Sequence, residues 1–147
     1  GQGTMTFAKG AVYEGQWERG EEHGQGTMTY ANGGVYEGAW EDGCRHGRGT
    51  MTTADGGVYE GQWERGSWHG RGRHTKANGS VYMGGWSHNR KAGLGTQWFV
   101  RGSVYSGDWE HGKRHGQGEY TCASGAIFVG EWRDGKAFSV TMKKDPM

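Results

Sequence analysis

The sequence is poor in the residues that build globular cores. Proline occurs once and cysteine twice in 147 residues, only 32% of the chain is hydrophobic, and the mean hydropathy is −0.94. Aliphatic residues are scarce, which excludes a conventional Leu/Ile/Val core and a helical bundle. No run approaches the ~18 apolar residues of a transmembrane helix. A formal net charge of +1 gives no argument for nucleic acid. Glycine, by contrast, supplies 32 residues, a density unfavourable to helix interiors at roughly 1 kcal/mol per residue against alanine. Such a composition suggests disorder, but disordered chains are poor in aromatics. This chain has 8 Trp, 7 Tyr and 4 Phe.

The aromatics recur in register. Tyr13, Tyr36, Tyr59, Tyr82, Tyr105 and Phe128 are spaced by 23 residues, as are Trp17, Trp40, Trp63, Trp86, Trp109 and Trp132. These twelve residues are the expected aromatic core. Between the two columns runs Gly15, Gly38, Gly61, Gly84, Gly107 and Gly130. Glycine pairs recur at Gly24/Gly26, Gly47/Gly49, Gly70/Gly72, Gly93/Gly95 and Gly116/Gly118, and a turn glycine at Gly10, Gly33, Gly56, Gly79, Gly102 and Gly125. A fixed period of this length is the signature of a repeat architecture.

Each unit reads as a β-hairpin. Gly26 to Tyr30 alternates as a strand does. Asn32-Gly33, like Asp55-Gly56 and Asn78-Gly79, predicts a type I′ turn. Val35 to Trp40 is the second strand, with Tyr36, Gly38 and Trp40 on one face and Val35, Glu37 and Ala39 on the other. Glu41 to His46 is expected to be a polar loop. The intervening glycine is read sterically, as room for rings that pack over it. One hairpin is marginal in water, whereas stacked neighbours share their rings and pair their edges. The expected fold is all-β: an elongated, single-layer, twisted antiparallel sheet of about six hairpins, twelve strands in all.

Tyr36-Glu37-Gly38-Ala39-Trp40, then Gly43, His46-Gly47-Arg48-Gly49-Thr50 and Asp55-Gly56, resemble the MORN (membrane occupation and recognition nexus) repeat. Residues 1–138 fit it; 139–147 read as a degenerate terminal strand and tail. The array starts mid-unit at Gly1-Gln2-Gly3, so a longer array is expected. The resemblance implies a scaffold without catalytic activity that binds other cytoskeletal or scaffold proteins and forms homodimers. It places the protein in the cytoplasm, on flagellar or cortical cytoskeleton and peripheral to membrane. It also implies an alternative, phosphoinositide or anionic-lipid binding. The fourth copy departs from the pattern at Met83, Gly85, Asn89 and Ala92, and the last at Phe138, Ser139 and Thr141.

No cofactor, metal site or catalytic set stands out. Strands ~4.8 Å apart put His23, His46, His69 and His115 roughly 10 Å from one another, too far to share an ion; hydrogen bonds to local backbone are the expectation. Cys44 and Cys122 are too distant in the array for a disulfide. No acid occurs between Glu64 and Asp108, a window with seven bases. Arg73, Lys76, Arg90, Lys91 and Arg101, with Trp68 and Trp98, are therefore a candidate surface for anionic lipid or an acidic partner, the alternative being a solvated face. Phe138, Val140 and Met142 alternate in the terminal strand and are the expected dimer contact, with Lys143, Lys144 and Pro146 as the rival reading, guards of an exposed edge. A choline-binding aromatic repeat is a third class; the His-Gly-x-Gly element argues against it.

Overall fold

The computed structural model describes residues 1–145; Pro146 lies outside them. Thirteen strands, β1 (Gln2–Thr6), β2 (Val12–Glu18), β3 (Glu21–Thr29), β4 (Val35–Glu41), β5 (Cys44–Thr52), β6 (Val58–Glu64), β7 (Ser67–Thr75), β8 (Val81–Ser87), β9 (Arg90–Trp98), β10 (Val104–Glu110), β11 (Lys113–Thr121), β12 (Ile127–Arg133) and β13 (Lys136–Lys144), form one antiparallel sheet in sequence order. The thirteenth strand is the terminal one expected at 139–147; it starts earlier, at Lys136, and ends at Lys144.

The turns differ from the sequence expectation at both ends of the hairpin. Glu41 to His46 is not a loop. Asp42 and Gly43 both have positive φ (48° and 78°), a two-residue type I′ turn, and β5 starts at Cys44. The same turn recurs at Arg19-Gly20, Arg65-Gly66, His88-Asn89, His111-Gly112 and Asp134-Gly135. At Asn32-Gly33 only the glycine has positive φ (95°). There Gly33 N donates to Tyr30 O and Tyr30 N to Gly34 O, at 2.9 and 2.8 Å. That pattern is a three-residue loop, a type I turn closed by glycine.

The paired glycines have separate tasks. Gly47 has φ +76° and sits in a bulge, where Ala39 alone faces the residues between Arg45 and Gly49. Two extra residues there account for nine-residue strands alternating with seven-residue ones. A side chain closes the gap in several copies: Gln62 Oε1 accepts from Arg71 N at 2.8 Å, and Asp108 Oδ2 from Gln117 N at 3.0 Å.

Gly49 instead pairs with both Gly38 and Gly61, part of a glycine ladder crossing the sheet from Gly3 on β1 to Gly130 on β12. A Cβ on Gly61 would meet the Gly72 backbone, Arg71 O at 2.5 Å and the Tyr59 hydroxyl at 3.0 Å; one on Gly72 would enter the Tyr59 ring. The ladder is thus the bed on which the tyrosines lie. Tyr13, Tyr36, Tyr59, Tyr82 and Tyr105 are at most 1% exposed. Each hydroxyl donates to the carbonyl three residues on, Tyr59 to Gln62 O at 2.7 Å. Trp40, Trp63, Trp86 and Trp109 pack edge-on against the tyrosines of their own and the preceding unit, and Trp132 against Tyr105 of the preceding one, centroids 5.0–5.6 Å apart. Each Nε1 donates to a ladder-glycine carbonyl, Trp63 to Gly49 O at 3.0 Å. Trp17 and Phe128 are half-buried.

Gly61→Val is expected to cost at least the ~1–3 kcal/mol of overpacking, because the facing atoms are backbone. Glu60→Val, exposed on the opposite face, is expected to change stability by no more than ~0.5 kcal/mol. Thermal melts of the two variants check this; equal shifts would refute the steric account.

Candidate functional site

The aromatic face is overhung by turns from both ends of the hairpins. Between them lies a groove of about 520 Å³, lined by Tyr30, Asn32, Arg45, Met51, Trp63 and Trp68, with Asn89 at its rim. Its cation is built in. The Arg45 guanidinium lies 4.8 Å over Trp63, and its Nη2 donates to Gly66 O at 2.9 Å. Arg114 repeats this arrangement, 5.0 Å over Trp132 and bonded to Gly135 O at 2.6 Å. Such cations stack on the ring face through the aromatic quadrupole, so they cover the core. Trp68 occupies the Arg45 position of its own unit and stacks on Tyr59 at 4.4 Å.

The structure does not gather the seven residues of the acid-free window. Trp68 packs into the core. Lys91 turns inward, 5.0 Å over Trp109 and 5.2 Å over Tyr82, and its Nζ donates to Gln97 Oε1 at 2.6 Å. Arg90 follows a type I′ turn at one end of the sheet; Lys76 and Arg101 border the glycine turns at the other. Arg73 and Trp98 are exposed on the face opposite the aromatics. Contiguity in sequence misled because successive strand residues alternate faces.

The fourth unit is polar inside. His74 and Gln97 take positions in the cross-strand row that hold Met28 and Met51 earlier. Burial pushes the His74 pKa down, helped by the charges of Lys76 and Lys91. Burial also lowers that of Lys91, to about 8, with Lys76 adding to the shift. The buried tyrosines move the other way: burial raises Tyr59 and Tyr105 to about 12.

The histidine column does not bond to backbone as expected. His23, His46, His69 and His115 pair with Glu18, Glu41, Glu64 and Glu110 across the type I′ turns, at 3.0, 3.4, 3.0 and 3.2 Å. These pairs are well exposed and worth little individually. Among the described residues, no group of three His, Cys, Asp or Glu side chains is placed to hold a metal. Cys44 and Cys122 are free thiols.

The terminal strand is slipped. Gly130 faces Val140 and Glu131 faces Ser139, with register shifts on both sides. Val140 therefore takes the ladder position and packs on the core. Phe138 falls in the bulge, 57% exposed, with the Arg133 guanidinium 3.5 Å over its ring. Met142, 49% exposed, pairs with Phe128. The expected common face of Phe138, Val140 and Met142 is broken by this slip.

The glycine ladder, the edge-on Tyr–Trp packing and the 23-residue period belong to one pattern. The MORN repeat profile matches residues 1–12, 13–35, 36–58, 59–81, 82–104, 105–127 and 128–137. The chain belongs to the MORN repeat family. No curated protein sequence matches it closely enough to add a relative. Among solved structures, the fold is similar to the TCP domain of Drosophila melanogaster SAS-4 (dCPAP), solved with a proline-rich motif of Ana2 (dSTIL). That likeness has a TM-score of 0.51 at 17% identity and covers 87% of this chain and 77% of that one. The TCP10 domain of Danio rerio CPAP matches with a TM-score of 0.50 at 13% identity, covering 96% and 67%. At these identities the likeness is one of fold: a MORN array shares its open antiparallel sheet with domains of unrelated sequence.

The Lys91 environment predicts a pH dependence. The lysine binds its proton at about 8 in the folded chain and at 10.5 when free, so between these values the unfolded chain holds more protons and stability rises with pH. Above pH 10 the tyrosines oppose this, because their raised pKa favours proton loss in the unfolded chain. Lys91→Met removes only the first effect. The stability of Lys91→Met relative to wild type is expected to fall steadily from pH 8 to pH 10 in paired melts; a constant difference would refute the inward placement of the charge.

Proposed function

We propose that this MORN array is a non-catalytic scaffold that holds an extended protein segment in its aromatic groove and assembles with a second copy of itself through β13. The groove carries the reading. Its floor is tyrosine, tryptophan and methionine, and its rim offers Asn32, Asn89 and Arg45 donors. An extended segment containing proline suits such a surface: it has little conformational freedom to lose and its rings stack on aromatic side chains. The complex of the SAS-4 TCP domain with a proline-rich motif supports the same class of ligand. A cytoskeletal or cortical setting follows from the family resemblance. Lipid binding draws no support from the seven dispersed residues.

Self-association rests on the sheet edge. Among the described residues β13 is paired on one side only, and its Phe138 and Met142 are exposed. An unpaired edge is a template for another strand, and a two-fold arrangement of two such edges is the simplest closed assembly.

Two measurements test the proposal. Fluorescence titration with a proline-rich peptide is expected to show saturable binding that Tyr30→Ala weakens by about tenfold; no binding by wild type would refute the groove. Light scattering is expected to give a dimer for wild type and a folded monomer for Phe138→Glu/Met142→Glu. A wild type that remains monomeric at ~100 μM would refute the edge contact.

A further inference from the structure

The face opposite the aromatics follows strict columns until the fourth unit. The column of Trp98 is otherwise Thr6, Thr29, Thr52, Thr75 and Thr121. The column of Met83 begins Glu14, Glu37, Glu60, and that of Leu94 runs Gln2, Gln25, Arg48, Arg71 before it. Three polar positions thus become large and apolar within one unit, and the register brings them together. Leu94 and Trp98 flank Thr96 on one face of β9, and Met83 on β8 pairs directly with Thr96. Trp98 sits between Val81 and Val104 in its cross-strand row. None of the three is covered: Met83 is 43% exposed, Leu94 68% and Trp98 42%. No packing requirement explains them, because the aromatic core lies on the other face. An apolar patch with a polar rim marks an interaction surface.

The rim is of one sign on one side. Arg73 pairs with Met83, and Arg71 follows the same face of β7. These two arginines line a depression of about 500 Å³ that reaches Met83 and is closed on its far side by Glu60, with Arg48 beyond it. The strip is narrow. Glu60 on β6 bounds it on one side and Asp108 on β10, paired with Leu94, on the other. From β7 to β9 it is about 10 Å wide. A flat anionic bilayer laid on this face would also meet Glu37, Glu60 and Glu119, whereas a single polypeptide segment running along β8 and β9 avoids them.

We propose that this strip binds a polypeptide segment with apolar side chains seated over Met83, Leu94 and Trp98 and carboxylates directed at Arg71 and Arg73. The site is separate from the aromatic groove and does not rest on it. Two segments bound on opposite faces of one sheet are held at a fixed separation.

A random peptide display library panned on the full chain tests the proposal. The key variant is Met83→Glu/Leu94→Arg/Trp98→Thr, which installs the residues found in the same columns at Glu60, Arg71 and Thr75, and whose melt is expected to match wild type. Peptides enriched on wild type are expected to combine Asp or Glu with Leu, Ile, Phe or Trp. Their affinity is expected to fall about tenfold or more in the triple variant and in Arg71→Glu/Arg73→Glu, and to be unchanged in Tyr30→Ala. Among peptides whose binding survives Tyr30→Ala, a lack of acidic residues, or equal binding by the triple variant, would overturn the proposal. Peptides lost only in Tyr30→Ala would leave the groove standing while removing this site. Flotation with phosphatidylserine–phosphatidylcholine vesicles that is abolished in the triple variant would assign the strip to a membrane and also overturn it.

Discussion

Everything in this sheet depends on the contact between a tyrosine ring and a pair of glycines. A single-layer sheet has no second layer to bury its side chains against. Here the rings lie down on the backbone itself, which requires that the residues beneath have no Cβ. Tyr59 over Gly61 and Gly72 shows the constraint: the missing Cβ of Gly72 is replaced by the ring, and the ring hydroxyl reaches Gln62 O. The ladder carbonyls then take the tryptophan N–H groups. Buried polar atoms cost free energy unless paired, and among the described residues no buried side-chain nitrogen or oxygen lacks a partner.

The same contact joins the units. From Trp40 to Trp109 each column tryptophan touches the tyrosine of its own hairpin and that of the one before, so these rings are shared between neighbouring hairpins. Turn-to-turn bonds add to this: Gly43 N donates to Glu22 O and Gly66 N to Arg45 O, linking consecutive type I′ turns at one end of the sheet. Stability in such an array is a sum of unit and neighbour terms. The fourth unit keeps its Tyr82 and Trp86, puts His74 and Gln97 where earlier units have methionine, and has Lys91 at the position of Arg45. Its rings pack edge-on as in the neighbouring units, and Gln97 adds hydrogen bonds, accepting from Lys91 Nζ and donating to Val81 O. That leaves the opposite face free to depart from the columns without loss of the sheet.

The two faces therefore do different work. The aromatic face is fixed by the fold, and its groove is what remains between turns that curl over it. The opposite face carries alternating threonines, glutamates and arginines that the fold constrains only by strand propensity, so differences between units appear there first. Met83, Leu94 and Trp98 are such differences, and they are contiguous in space although they span sixteen residues of sequence.

The sequence by itself determined the period, the hairpin unit, the direction of every strand and the identity of the aromatic core. All of these follow from local alternation and from glycine spacing, which one chain displays openly. It also carried the need for glycine between Tyr and Trp, because a strand interior otherwise disfavours glycine. The tertiary structure alone decided which turn is type I′, since Asn32-Gly33 and Asp42-Gly43 look equally apt until the bulge at Gly47 sets the register. The faces of Lys91 and Arg73 follow from alternation relative to Gly95 and Gly72, since the two extra residues of the bulge keep the parity; the structure alone decided that the Lys91 ammonium lies over Tyr82 and Trp109 and bonds to Gln97. It also decided the slip that takes Phe138 away from Val140. Side-chain direction in a sheet reverses with every residue, so one extra residue anywhere upstream reassigns a face, and charge counted along the chain cannot register it.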